Sequence, residues 1–195
     1  MDEDISIINT NTRNEKIKNF FSENKKKLIT FLLAIIVIFV FVYAFDKYNK
    51  NKKIEISNKF NTTTLQYSEN TKTKTVESLI ELINQQDPTY SPLSLYFIID
   101  NNLVSDDKKI NSLFDILIEK TPLEKEIKNL VIYKKALFNA DKAQENNLLN
   151  ILNPLINSQS VWKSHALNLM AEFFYSKDQK QKSKEFFNQI ISLEN

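Results

Sequence analysis

LITFLLAIIVIFVFVYAF, residues 28–45, is the stretch that decides the architecture of this chain. It runs eighteen residues without a charge, and Thr30 is its polar break. Coiled as a helix at about 1.5 Å per residue it spans about 27 Å, close to the thickness of a bilayer's hydrocarbon core once flanking lysines reach the headgroups. Lipid offers no hydrogen bonds, so the backbone there must satisfy its own, which requires a helix. The core helix of a soluble protein shows a polar face, whereas this run is apolar all round. A signal-peptide core is shorter and ends in small residues before a cleavage site, and Val42-Tyr43-Ala44-Phe45-Asp46-Lys47 offers none. The expectation is a retained single transmembrane helix that meets the lipid bilayer through Leu28 to Phe45.

Working outward, residues 1–27 form a polar arm and residues 46–195 have the length of one globular domain. The arm carries Asp2, Glu3 and Asp4, then Arg13, Lys16, Lys18 and Lys25 to Lys27, and reads as a tail too short for a core. After Phe45 the chain has 20 lysines against 19 acidic residues, near neutrality, which argues against nucleic acid as a partner. Cysteine is absent, so disulfides and thiolate metal sites are excluded. Glycine is absent too, which removes phosphate-cradling loops and dinucleotide fingerprints. Lysines flank the apolar run on both sides; the tight Lys25-Lys26-Lys27 triplet favours an inside N-terminus and an outside C-terminal domain.

Beyond the run the pattern is helical throughout. From Asp46 to about Glu69 nothing breaks a helix, so the spanning helix is expected to continue into the aqueous domain. Val76, Leu79, Ile80 and Ile83 form a stripe that Asp87-Pro88 ends. Ser91-Pro92 reads as an N-cap with proline at the first helical position, opening a helix that Asn101-Asn102 closes in the left-handed conformation. Ser105 reads as the cap of a helix bearing Ile110, Phe114 and Leu117. Capping boxes at Thr121 to Glu124, Asp141 to Gln144 and Asp178 to Gln181 open three more, with Pro154 ending or kinking the second. Another begins near Ser160. Eight helices with no strand alternation make an all-α domain.

The helices also recur at an interval. Ala171, Phe174, Ser183, Phe187 and Ile190 have counterparts at the same offsets in Ala136, Asn139, Leu148, Leu152 and Leu155, and again in Ile98, Asn101, Ile110, Phe114 and Leu117. The frames lie 38 and then 35 residues apart, Ile98 to Ala136 to Ala171, near the roughly 34 of a tetratricopeptide repeat. The expected fold is an N-terminal transmembrane helix followed by a tetratricopeptide-like α-solenoid of about four helix pairs.

A charged arm ending Phe20-Phe21-Ser22-Glu23-Asn24-Lys25, one apolar helix, and degenerate helical repeats closing on Ala166-Leu167-Asn168-Leu169-Met170-Ala171-Glu172-Phe173-Phe174 together resemble a bacterial family. They are similar to the ancillary SecYEG translocon subunit, the YfgM-type membrane-anchored tetratricopeptide-like proteins. The resemblance covers nearly the whole chain. It implies a single-pass protein of the inner membrane with a cytoplasmic N-terminus and a periplasmic repeat domain, associating with the SecYEG translocon and with periplasmic chaperones. Missing glycine and the large Ile98 depart from a typical member.

Candidate chemistry is sparse. His165 is the one histidine and shares a predicted helix with Trp162 and Glu172; without a second titratable partner or further strong ligands it reads as a surface or packed residue. Asp106-Asp107 beside Lys108-Lys109 reads as a solvated helix start. No serine lies in a nucleophile-elbow context. The sequence therefore reads as non-enzymatic, with no catalytic, cofactor or metal site and no small-molecule substrate. Trp162, Phe173, Phe174, Tyr175, Phe186 and Phe187 are the densest aromatic group. They read as core packing between the last helix pairs or, functionally, as the lining of a partner-binding groove. Adjacent aromatics cannot share one helix face, so at least one of Phe173-Phe174 and one of Phe186-Phe187 is expected nearer the surface. The leading function is a membrane-tethered protein-protein interaction module. The alternatives are a scaffold of another envelope complex, in division or outer-membrane assembly, and a membrane-bound enzyme using paired carboxylates.

Overall fold

The computed structural model describes the backbone of residues 2–193 and the side chains of residues 13–193. Among the described residues every regular element is helical. The chain divides into two compact units, one up to Lys53 and one from Ile54.

The first unit holds α1 (Asp2–Glu23) and most of α2 (Lys25–Leu65). The polar arm is helical, since no proline or glycine interrupts it. Asn24 barely breaks the ladder, since its N–H donates to the Phe20 carbonyl at 3.0 Å and its carbonyl accepts from Leu28 at 2.9 Å. At 41 residues, α2 is about 60 Å long. Its most apolar eighteen residues have a mean hydropathy of 3.0 and none of them is buried, so the helix is long and apolar enough to cross a membrane. The Thr30 hydroxyl donates back to the Lys26 carbonyl at 3.0 Å, which removes the run's one polar break from any surrounding medium.

Continuation of that helix past Asp46, expected from the sequence, is what the structure has; it runs to Leu65 and carries Ile56 into the core of the second unit. There α3 (Lys72–Asn84) packs on α4 (Tyr90–Asp100). The helix α5 (Asp107–Asp115) passes into a π turn, Ile116–Lys120, that packs on α3 and α6 (Lys125–Asn139). The remaining pairs are α6 with α7 (Glu145–Ile156) and α8 (Lys163–Ser176) with α9 (Lys180–Ile191); α7 also meets α8.

Two apolar clusters hold these helices, each built from stripes at helical spacing. The first joins Leu79, Leu82 and Ile83 to Leu95, Ile98, Ile110, Phe114 and Leu117. The second joins Ala136 to Leu148, Leu152, Leu155, Met170 and Phe174. Full burial of one such leucine contributes about 1.5–3 kcal/mol. Most repeat-frame positions are buried, the three first marks Ile98, Ala136 and Ala171 completely. Ile98 shows that a large side chain fits where a small one was expected.

Helix ends are where local sequence reading goes astray. The α4 cap is Asp87, whose carboxylate accepts from the Thr89 and Tyr90 N–H groups at 2.8 Å each; Ser91 lies inside the helix, and its buried hydroxyl donates to the Leu82 carbonyl of α3 at 2.8 Å. Pro92 is the third residue of α4 rather than its first. Asp106 rather than Ser105 caps α5, accepting from the Lys108 and Lys109 N–H groups. None of the three boxes forms. Thr121 closes the π turn by donating to the Ile116 carbonyl, so α6 starts only at Lys125; the residues at the caps of α7 and α9 are Gln144 and Gln179, without side-chain bonds. Asp178 instead takes the left-handed position after α8, with φ 58°, as Asn102 does after α4 with φ 49°. In both places the next N–H reaches back, Gln179 to Phe174 and Leu103 to Ile98 at 2.9 Å, which is the closure glycine would ordinarily supply. Pro154 sits in the last turn of α7, which ends at Ile156.

Candidate functional site

The six aromatic residues singled out in the sequence do not share a surface. Phe173 and Phe174 are both in the core, 7% and 2% exposed, which corrects the expectation that one of them lies outward. The reason is that α8 is enclosed on more than one face, touching α6, α7 and α9. Phe186 is half-buried and stacks on Phe174 with ring centroids 5.5 Å apart. Trp162 is half-buried too; it stacks on Tyr133 at 5.6 Å, and its indole N–H donates to the Glu126 carbonyl at 3.1 Å, tying the start of α8 to α6. The Glu126 carboxylate accepts from the Ser160 hydroxyl at 2.6 Å and completes that tie. Tyr175 and Phe187 are exposed, at 66% and 40%. His165 is exposed and packs against the rings of Trp162 and Tyr133 at 5.2 and 5.8 Å, the surface-packed role expected of it.

Of the clefts that form elsewhere, two border α6. One, of about 270 Å³, lies between α4 and α6 over α5; Tyr96, Ile99 and Asp100 face Lys134, Leu137 and Phe138, with Phe114 also lining it. The other, of about 400 Å³, lies between the end of α6 and α8, lined by Asp141, Leu169, Glu172, Phe173 and Lys177 among others. Their positions follow the repeat frame. Two residues before each first mark stand Tyr96, Lys134 and Leu169; one residue after it stand Ile99, Leu137 and Glu172. The marks themselves are buried against the paired helix, so the next face round, at about 100° per residue, is the one left open to form a cleft.

The two clefts share a kind of contact but not its frame positions, since Tyr96 stands two residues before its first mark and Phe173 two residues after its own. In the first cleft the Lys134 ammonium lies 4.6 Å from the centre of the Tyr96 ring; in the second the Lys177 ammonium lies 5.6 Å from that of Phe173. Each cleft thus presents an aromatic ring with a cation over it and at least one carboxylate at its wall. Asp141 and Glu172 share the second cleft, and both are exposed. The Tyr96 hydroxyl is turned into the protein without a hydrogen-bond partner, and burial pushes it up to about 12. Tyr133 is raised as well, by burial first and then by the Glu172 carboxylate. Among the described residues no group of three or more histidine or acidic side chains is placed to hold a metal ion.

Tyr96, Lys134 and Leu137 lie outside the dense aromatic group and are not marked by composition. Their shared offsets from Ile98 and Ala136 were the signal available. No family model matches this chain, and no curated protein or solved structure matches it.

Proposed function

We propose that this chain is a single-pass membrane protein whose second unit is a tetratricopeptide-like solenoid that binds extended segments of other proteins. The observation that supports the reading is the register of the two clefts: the positions two before and one after the first marks line the first at Tyr96, Ile99, Lys134 and Leu137 and the second at Leu169 and Glu172. Both clefts are shallow and partly apolar, with polar rims, which suits successive side chains of a polypeptide. Tyr96, Ile99, Leu137 and Leu169 would supply apolar contact, and Lys134 and Lys177 would meet acidic side chains or carbonyl groups. The apolar helix supplies the tether. Holding the groove at a bilayer raises its local concentration relative to membrane-bound partners, so modest contacts suffice for occupancy.

The partners proposed are the SecYEG translocon and periplasmic chaperones, in the inner membrane with the N-terminus cytoplasmic and the repeat unit periplasmic. Support for them is the resemblance in layout, together with the Lys25-Lys26-Lys27 triplet ahead of the span. A photo-crosslinking residue in place of Leu137 in intact cells should capture a translocon or chaperone component, while the same residue in place of exposed Lys184 on α9 should not. Equal capture from both positions, or capture of neither partner class, would overturn the assignment. A reporter fused after residue 195 should be active only outside the cytoplasm.

A further inference from the structure

The segment ahead of the span carries a second membrane feature, distinct from the span itself. Ile17, Phe20 and Phe21 are exposed, at 47%, 56% and 57%, and their spacing of three and four residues puts Phe20 and Phe21 to either side of the line that Ile17 marks along α1. Leu28, the first residue of the apolar run, falls close to that line eleven residues after Ile17, and the backbone bonds through Asn24 keep the helical register between them. Phe21, Lys25, Leu28, Ile29 and Leu32 also line one almost wholly apolar cleft at the junction of α1 and α2. Around this face lie Arg13, Lys16, Lys18, Lys25, Lys26 and Lys27, against Glu15 and Glu23. Six cations thus oppose two carboxylates, and among the described residues no ion pair engages any of the six. The chain as a whole is nearly neutral, so this excess is local.

We infer that residues 13–27 are an anionic-phospholipid-binding element: Ile17, Phe20 and Phe21 insert among the acyl chains at the headgroup boundary while the six cations bind lipid phosphates. The proposal rests on α2 spanning the bilayer. An unbent helix would carry Ile17 roughly 16 Å beyond Leu28, so the element requires α1 to bend near Asn24 and lie along the leaflet, where its tether to the span removes a separate association step. Charge complementarity selects the lipid, because a zwitterionic headgroup layer balances its own phosphates and has no net charge for the lysine cluster to neutralise. Lysine and arginine stems can lie along the apolar boundary while their charges stay at the phosphates.

The chain has no cysteine, so a single introduced one takes a spin label uniquely. Full-length Ile17→Cys, labelled and reconstituted in phosphatidylcholine vesicles with or without phosphatidylglycerol, is tested for collision with a water-soluble nickel chelate. Accessibility should fall severalfold when phosphatidylglycerol is present, and the fall should vanish when Lys16, Lys18 and Lys25 to Lys27 are changed to Gln. Equal accessibility in both vesicles overturns the proposal. Full-length Ile36→Cys, labelled likewise, separates the two readings. Protection of Ile36→Cys in both vesicles with exposure of Ile17→Cys removes the lipid-binding element alone, whereas exposure of Ile36→Cys in both removes the span and this element together.

Discussion

The apolar run of α2 and the apolar stripes of α3 to α9 are made of the same side chains in opposite surroundings. Phe31, Phe39 and Phe41 are 67%, 69% and 72% exposed, while Phe114 and Phe174 are 0% and 2% exposed. Composition does not distinguish them; angular distribution does. In the second unit apolar residues recur every three or four positions, so each helix has one face to bury and a neighbouring helix to bury it against. In α2 they surround the axis and none of the most apolar eighteen residues is buried, as in a helix long and apolar enough to cross a membrane. Removing the same amount of apolar surface from the two regions should therefore have unrelated consequences.

The largest expected effect lies in the second unit. Phe174→Ala opens a void beside Phe186, Leu148 and Met170 and should lower the stability of that unit by about 3–5 kcal/mol, read as a lower denaturant midpoint, while leaving membrane partition unchanged. Ile38→Arg should do the reverse. It adds about 2.5–3.5 kcal/mol to insertion of the span and should shift protein into the soluble fraction without moving the midpoint of the repeat unit. A parallel response of both variants in both assays would erase the distinction drawn here.

Smaller effects sharpen how the second unit is held. Ser91→Ala removes the hydroxyl that donates to the Leu82 carbonyl and should cost about 1–2 kcal/mol. Gln86→Gly relieves a side chain held at φ 57° and should stabilise by about 0.5–1 kcal/mol. Tyr96→Phe should change stability little at neutral pH, because the hydroxyl it deletes makes no hydrogen bond. Its effect belongs to alkaline solution. The folded protein holds Tyr96 neutral up to about 12 against an ordinary value of 10.0, so above pH 10 the unfolded chain loses this proton first and stability falls as pH rises. Thermal melts of Tyr96→Phe should fall less steeply than those of the parent chain between pH 10 and 12; identical slopes would place the Tyr96 hydroxyl in water.

How much of this was legible in the chain follows from the same contrast. Leu28 to Phe45 could be read directly, since an all-round apolar surface needs no knowledge of neighbours. Helix order and buried faces past the apolar run were legible from periodicity, and most positions of the frame through Ile98, Ala136 and Ala171 are buried. Helix starts were not: Ser91 and Thr121 have the composition of caps, yet one bonds to α3 and the other closes a π turn, and only the packed structure decides that competition. The aromatic residues were the least legible. Trp162 and Tyr175 look alike as candidates, but the first is locked onto Glu126 and Tyr133 while the second points outward, because their positions around α8 differ relative to three neighbouring helices.

The measurement closest to the centre of the account is alkaline carbonate extraction of membranes from cells making the intact chain. A helix whose exposed apolar surface is covered by lipid keeps the protein in the membrane pellet, as integral proteins are retained. Release of the intact chain into the supernatant would show that something other than a bilayer covers residues 28–45, and the tethered-module reading would fall with it.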